Sequence, residues 1–330
     1  MRKLAAGALL VTIVSVACGG AGGGAADPLV VYSGRAEELV GPLFEQFEAE
    51  SDLDLDIRYA DSSELAATLL AEGAETEADV FFAQDPASLG AAAGLMAPLP
   101  EETLDLVEGR FHDRDGRWVG TSGRVRVVVH NTGSDLPLPQ TIDDAVDPAW
   151  AGQLGVAPTN GSFLAFVSAM ILERGEDETR EWLEALAAND PVEFDGNAPI
   201  VEATDTGELA GGLVNHYYLL RLRAEGQGNN TENYFIPAGD VGSLVMPAGV
   251  GVMANTDNPA AAQEFVDFLL ADEAQTYFAT ETFEFPLIDG IPQPDGVPPL
   301  SEIDAPDIDL SNLAGVLDQA TRLVAEAGLV

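Results

Sequence analysis

Three groups of polar residues stand where an apolar, strand-like run of the chain stops. They are Ser33-Gly34-Arg35, Thr159-Asn160-Gly161-Ser162 and Asn215-His216-Tyr217-Tyr218. Ligands of open α/β sheets bind beyond the carboxyl ends of the strands, so these groups are candidates for a binding site. An apolar helix follows the second group, and backbone N–H groups at the start of a helix point toward a bound anion. The pattern therefore favours anion binding.

Simpler structural roles also account for these residues. The group from Thr159 to Ser162 could serve only as the N-cap of the helix that follows. Tyr217 and Tyr218, taken alone, are consistent with one buried and one surface tyrosine. The residues by themselves leave both alternatives open.

The sequence carries no recognisable catalytic motif. Its histidines, His112, His130 and His216, are far apart in the chain. No H-E-x-x-H, G-x-S-x-G or P-loop pattern occurs. The stretch from Gly249 to Ala254 matches G-x-G-x-x-A, but it lies within an apparent strand, and we interpret the match as chance. We therefore predict a binding protein and not an enzyme.

The elements that must position the polar groups alternate between strand and helix patterns. Leu29–Tyr32 and Asp79–Phe82 read as buried strands, and Leu53–Tyr59 alternates as a half-buried strand does. Apolar residues recur at helical spacing from Leu39 to Phe47 and again from Leu65 to Glu72. This βαβαβ order predicts a parallel sheet with helices on both faces.

The second half of the chain repeats the alternation and contains two strands that could connect two lobes. Arg124–His130 is a long β-branched strand that could cross from one lobe to the other, and Val250–Ala254 would return. Residues 284–308 read as an extended segment that wraps the surface. The periodicity predicts one final helix over Leu310–Ala327.

The N-terminus has the pattern of a targeting segment. Basic residues precede an uncharged run from Leu4 to Ala17, which is too short to span a bilayer. Cys18 follows directly, and a Gly- and Ala-rich stretch comes next. We interpret residues 1–17 as a signal peptide and residues 18–28 as a lipidated cysteine with a flexible tether. The lipid would hold the mature protein on the outer face of the cytoplasmic membrane.

The chain is strongly acidic, with a formal net charge of −42. Such a field repels nucleic acid and anionic membranes, so we expect no nucleic-acid partner and no membrane contact except through the lipid. Attraction of cations is the functional interpretation of the charge. A solvated acidic surface suited to a salty habitat is the simpler one.

Several sequence blocks resemble the ferric-ion-binding branch of the periplasmic binding-protein family. In chain order they are VVYSGRAEELVGPL, ELAATLLAEG, ADVFFAQDPASLG, GRWVGTSGRVRVVVHNT, APTNGSF, GGLVNHYY and AGVGVMAN. They span most of residues 29–285. The resemblance implies a two-lobed type II periplasmic binding protein, an α/β fold of doubly wound sheets joined by two hinge crossings. The predicted lobes are 29–125 with 248–295, and 126–247 with 296–330.

The resemblance also implies the ligand and the residues that hold it. The family's adjacent tyrosines fall on Tyr217 and Tyr218, and phenolate oxygen is a hard ligand suited to ferric iron. The accompanying anion, carbonate or phosphate, would lie against the residues that match the family's anion loop and its flanking asparagines, with an arginine as a further partner. These residues are Asn160, Gly161, Ser162, Asn197, Asn215 and Arg35.

The chain departs from the family's pattern at other ligand positions. One branch of the family has a His and a Glu where this sequence has Ala36 and Gln84. Another branch uses a third tyrosine near the anion loop, where Ser162 and Phe163 stand here. Tyr59, at a strand end, is an additional candidate metal ligand.

The resemblance implies a monomeric solute-binding lipoprotein that delivers ferric iron to the permease and ATPase of an ABC importer. Closure of two lobes on the ligand would create the form that the permease recognises. Two other functions stay open. One is a binding protein for another small solute, such as an oxyanion or an organic acid. The other is an enzyme or sensor on the same fold, since a fold does not fix a function.

Overall fold

The computed structural model describes residues 27–329, so the predicted signal peptide and Cys18 lie outside the described residues. The strands are β1 (Leu29–Ser33), β2 (Leu55–Tyr59), β3 (Val80–Ala83), β4 (Val119–Asn131), β5 (Leu154–Val156), β6 (Val192–Glu193), β7 (Gly211–Asn215), β8 (Thr231–Tyr234), β9 (Val245–Val252) and β10 (Phe285–Pro286). The helices are α1 (Glu37–Glu50), α2 (Ser62–Glu72), α3 (Pro86–Ala92), α4 (Glu101–Leu104), α5 (Gly161–Arg174), α6 (Glu176–Ala188), α7 (Asn197–Asp205), α8 (Tyr217–Ala224), α9 (Pro259–Leu270), α10 (Asp272–Thr280) and α11 (Leu317–Glu326). Within residues 27–329 no helix has the length and apolar character needed to cross a bilayer.

The strands form one continuous hydrogen-bonded path, β2-β1-β3-β9-β4-β7-β5-β6, and β10 and β8 also pair with β4. The long strand β4 connects the two halves of this path. Its segment Val119–Val125 pairs with β9, and its segment Arg126–His130 pairs with β7. Strand β4 is therefore the crossing that the sequence predicts, and β9 is the return.

Both crossing strands begin five residues earlier than predicted, at Val119 and Val245. The residues that the prediction left out of the strands include Gly120, Gly123 and Pro247. Glycine and proline have low β-strand propensity. Antiparallel pairing of β4 with β9 overrides that preference.

The central strands of each half of the sheet are buried on both faces. Val80 and Phe82 of β3 enter one apolar cluster with helices α1 and α9, whereas Phe81 enters another with α2 and α3. In the other half, Val127 and Val129 of β4 pack on α7 and α8, while Val128 joins a cluster built on α5, α6 and α11. Because successive strand residues point to opposite faces, each lobe has helices on both sides. The predicted two-lobed, doubly wound α/β fold is confirmed.

The C-terminal region differs from the prediction of one helix over Leu310–Ala327. Its first seven residues form a 3₁₀ segment, Leu310–Val316, and only then does α11 begin. Gly315 and Asn312 weaken α-helical propensity there, and the segment is wedged between α3 and α5. Upstream, Leu300 and Ile303 pack with the first lobe's core. The predicted lobe boundaries stay predictions.

Candidate binding cleft

A cavity of about 500 Å³ lies between the two lobes. The first lobe contributes Gly34 after β1, the start of α2, and Gln84 with Asp85 after β3. The second lobe contributes the loop from Thr159 to Ser162, and α11 closes one side. Carboxyl ends of strands from both lobes, β1 and β3 of the first and β5 of the second, thus face the cavity, which is where ligands of open α/β sheets bind.

Four of the six predicted anion-binding residues form one hydrogen-bonded network around Arg126. The Arg126 Nη1 donates to Ser162 Oγ at 3.2 Å, to Asn197 Oδ1 at 3.4 Å and to Asn215 Oδ1 at 3.4 Å. Asn197 Nδ2 donates to Asn160 Oδ1 at 3.3 Å, which closes the network. A second guanidinium nitrogen of Arg126, Nη2, is buried and has no partner. The network therefore presents one free cationic donor.

The loop before α5 combines capping with cavity lining. Asn160 is the N-cap, and its Oδ1 accepts from the backbone N–H of Ser162 at 3.0 Å. Asn160, Gly161 and Ser162 also line the cavity. The capping role that the sequence left open is present, and it does not remove these residues from the cleft.

The two tyrosines occupy the junction between β7 and α8. His216 separates the end of β7 from α8, and Tyr217 is the first residue of the helix. The rings of Tyr217 and Tyr218 stack with their centroids 4.3 Å apart. Tyr217 is buried and Tyr218 half-buried. Burial raises the pKa of the Tyr217 phenol well above its ordinary value of 10, and the neighbouring Tyr218 raises it further. A bound cation is therefore needed to ionise Tyr217 at neutral pH.

Neither tyrosine lines the 500 Å³ cavity. Their connection to it runs through two arginines. Arg126 interacts electrostatically with both phenols, and Arg124 with Tyr217. Arg124 lines the cavity, and Arg126 donates to Ser162, which also lines it, so the two arginines link the phenols to the cavity electrostatically.

Arg35, predicted as an anion partner, is fully buried and engaged with a carboxylate. Its Nη2 donates to Glu284 Oε2 at 2.8 Å, and Ser122 Oγ donates to the same oxygen at 2.8 Å. Arg124 approaches from the other side, with Nε 3.9 Å from Glu284 Oε1. Burial acts to raise the pKa of Glu284, but the guanidinium groups of Arg35 and Arg124 hold it below its ordinary value. The role of Arg35 as an anion partner stays a prediction.

The buried charges in this region do not balance. Arg35, Arg124 and Arg126 are at most 3% exposed, and Glu284 is the one buried carboxylate among them in the described part of the chain. Three positive charges and one negative charge leave a net charge of +2. Five guanidinium nitrogens on the three arginines have no hydrogen-bond partner. Buried cations are normally paired, so the arrangement is suited to an anionic ligand.

Burial lowers the pKa of Arg126 to about 10, so its guanidinium remains protonated at neutral pH. The adjacent His216 is different, because burial lowers its pKa to about 4. Both its ring nitrogens are occupied: Nδ1 accepts from the Val125 backbone N–H and Nε2 donates to the Phe283 carbonyl. His216 is thus a neutral structural group and not a free ligand.

The other phenols lie outside the cleft. Tyr32 interacts with Glu72 and Arg58. Tyr59 packs against the core on the α1 side, where burial and nearby glutamates raise its pKa to about 12. It does not line the cavity, and its role as a metal ligand stays a prediction. Across residues 27–329 no group of three or more His, Cys, Asp or Glu side chains could hold a metal ion.

Arg124, Arg126 and Glu284 were missed by the sequence analysis. A signal for the arginines exists, since Arg124 and Arg126 alternate with valines in a strand that is otherwise buried. Charged residues are almost never buried without a partner. Nothing near Glu284 in the sequence marks it, because its partners come from distant segments.

Two doubly wound lobes, two strand crossings and a polar cleft between them define a solute-binding protein of the two-lobed periplasmic type. The chain belongs to the bacterial extracellular solute-binding protein family, whose sequence model matches residues 74–309. Family membership confirms the prediction of a binding protein and not an enzyme.

Similar proteins include several that are named for iron binding. The Fe(3+)-binding periplasmic protein of Serratia marcescens is 30% identical, over 98% of this chain and 97% of the relative. The major ferric iron-binding protein of Neisseria meningitidis serogroup B is 29% identical, over 91% of this chain and 93% of the relative. The crystal structure of iron-bound HitA from Pseudomonas aeruginosa superposes with a TM-score of 0.83 and 31% identity, covering 91% of this chain and 99% of that one.

Proposed function

We propose that this protein captures ferric iron together with an anion in the interlobe cleft and delivers it to an ABC importer. One observation carries the proposal: two stacked phenols, Tyr217 and Tyr218, interact electrostatically with buried arginines that each keep at least one nitrogen without a partner. Phenolates are hard ligands that suit ferric iron. Two relatives that match nearly the whole chain are named as ferric-iron-binding proteins, which supports ferric iron as the ligand.

The charge balance supports an accompanying anion. The buried arginines and Glu284 give the empty site a net charge of +2. A ferric ion with two phenolates would add three positive and two negative charges and raise this to +3. Iron alone would therefore worsen the imbalance, and an anion would offset it. We propose that loading needs the anion as well as the metal.

Carbonate and phosphate are the two candidate anions. Either would accept from the free Nη2 of Arg126 and lie against Asn160, Gly161 and Ser162. Arg126 is better placed than Arg35 for this role, because Arg35 already pairs with Glu284. Arg124, which lines the cavity with two unpartnered nitrogens, is the second donor.

The proposal includes a location and partners. The apolar N-terminal run that ends at Cys18 supports a lipid anchor on the outer face of the cytoplasmic membrane. The closed, loaded monomer would be recognised by the permease, and the ATPase would drive release. A binder of another oxyanion or an organic acid is the alternative, since the unpaired arginines would suit such a ligand without iron.

Titration of the purified protein with ferric citrate in carbonate buffer, followed by visible absorption, tests the ligand. Tyrosinate-to-iron charge transfer should give a visible band. Tyr217→Phe and Tyr218→Phe each remove one oxygen and keep the ring, so each should weaken iron binding at least tenfold, about 1.4 kcal/mol. Tyr277→Phe, a half-buried tyrosine that donates to the Leu39 carbonyl elsewhere, is the matched control.

Two results would contradict the assignment. The first is iron binding by the Tyr217→Phe, Tyr218→Phe double variant that equals that of the parent. The second is no visible band with the parent protein combined with calorimetric binding of phosphate or an organic acid alone, which would favour the alternative ligand.

A further inference from the structure

The 3₁₀ segment Leu310–Val316, named here the bridging segment, contacts both lobes. On one side it lies against α3 of the first lobe, and on the other against α5 of the second. The contact with α3 is very close: a Cβ placed on Gly90 would lie 3.3 Å from the Ala314 Cβ and 3.3 Å from the Ser311 carbonyl oxygen. Ala87, also on α3, packs in the same apolar cluster as Leu313. The segment is thus an interlobe contact besides the two crossing strands.

Large apolar side chains hold the bridging segment in the second lobe, whereas its contact with the first lobe involves small residues. Leu310 and Leu313 are buried in that lobe's core, and α11 continues from the segment into the same core. On the first lobe's side the contact residues are small. The ion pair from Asp309 to Arg114 adds little there, because the Arg114 side chain is 76% exposed. The contact with α3 is therefore close, but it involves no large apolar side chain of the segment other than Leu313.

The segment is also joined directly to the cleft. Leu317, Asp318 and Thr321, at the start of α11, line the cavity, as do Ala87 and Ser88 of α3. A change in the separation of α3 and the bridging segment would therefore change the width of the cavity. A seven-residue 3₁₀ run is longer than usual for this type of helix.

We propose that the bridging segment is an interlobe latch, which contacts α3 at Gly90 in the closed state and separates from it when the cleft opens. Gly90, Ala314 and Ser311 at this surface are small and have no long side chains that would need to repack, so the contact can form and break. The latch sets the balance between open and closed states without touching the ligand. The proposal rests on the proposed function only in requiring that some ligand closes the cleft.

A reversible cross-link tests the latch. Cys18 is the one cysteine in the sequence, so Gly90→Cys with Ala314→Cys in a Cys18→Ser background places one new thiol on each lobe. The 3.3 Å Cβ separation is close to the mean of about 3.8 Å for disulfides. Without any ligand, the oxidised protein should have a smaller radius of gyration in X-ray scattering than the reduced protein. Release of iron, loaded as ferric citrate before oxidation, should be at least tenfold slower.

Failure of the disulfide to form, or equal radii of gyration and release rates in both redox states, would overturn the latch. The scattering comparison uses no ligand, so it is unaffected if iron is not the ligand. If the protein does not bind iron but its radius of gyration still differs between the oxidised and reduced forms, the proposed function is rejected and the latch is retained.

A second pair of variants probes the same contact without cysteine. A leucine at Gly90 would have to push the bridging segment away, because even its Cβ would lie 3.3 Å from the Ala314 Cβ, whereas Gly94, in the exposed turn after α3, has no atom within 4 Å of an added Cβ. Gly90→Leu should enlarge the ligand-free radius of gyration and weaken ferric citrate binding at least tenfold. Gly94→Leu should match the parent. If both leucine variants behave like the parent, the contact at Gly90 does not control closure.

Discussion

Replacement of Arg126 with methionine should affect folding and ligand binding in opposite ways. In the ligand-free protein the Arg126 guanidinium is buried, makes only long hydrogen bonds of 3.2 to 3.4 Å, and leaves Nη2 without a partner. Replacing a whole buried ion pair with apolar side chains of similar volume is often neutral or stabilising, by about 1–4 kcal/mol, and loss of Arg126 strands no carboxylate, since its hydrogen-bond partners are neutral. We expect the free energy of unfolding of Arg126→Met to be unchanged or higher.

Ligand binding should fall in the same variant. A hydrogen bond from a charged donor contributes about 1.5–3 kcal/mol, which corresponds to roughly 10- to 150-fold in affinity. Arg126→Met should therefore weaken anion-dependent iron loading by about that factor. Visible titrations with ferric citrate at several carbonate and phosphate concentrations measure the loss, and urea denaturation of the ligand-free protein measures the stability.

Arg35→Met is the matched control, because it makes the same chemical change in an arginine that is already paired. It leaves the Glu284 carboxylate buried without its 2.8 Å partner. Breaking a buried pair in this way typically costs about 3–5 kcal/mol, and Ser122, Thr282 and Arg124 around Glu284 favour the lower end. The reasoning is refuted if Arg126→Met lowers stability as much as Arg35→Met does while its anion-dependent loading stays at the parental level.

Three further outcomes are expected. Glu284→Gln should remove part of the acid sensitivity of folding: the pKa of Glu284 is lowered in the folded protein, so its contribution is present above pH 4.5 and is lost as the pH falls through the lower folded value, which acid titration of unfolding detects. Gly212→Ala should lower the free energy of unfolding by about 1–3 kcal/mol, because the added Cβ would lie 2.1 Å from the Ile200 Cγ2, and a parental urea midpoint would contradict this. Cys18→Ser should move the protein from the membrane to the soluble fraction of a bacterial host or block its processing, and an intact mass without lipid on the parent would reject the anchor.

The local pattern of apolar and polar residues predicted much of the fold. Alternation and helical spacing between Leu29 and Phe82 predicted three strands and the helices between them, because each element buries its own apolar face. The same reasoning failed for Leu310–Val316. Its apolar residues have helical spacing, but packing between α3 and α5 selects the 3₁₀ form. The early residues of β4 were missed because strand pairing, not propensity, makes Gly120 and Gly123 part of the sheet.

The sequence by itself determined which polar residues and tyrosines stand at the ends of strands. These residues directly follow the strands along the chain, so their position can be predicted from local pattern alone. Only the tertiary structure decided which cations accompany them. Glu284 lies 249 residues from Arg35 along the chain, and Arg126 lies 89 residues from Asn215. Which guanidinium is neutralised and which is left with free donors depends on these long-range contacts, because the energy of a buried charge is set by whatever the fold brings beside it.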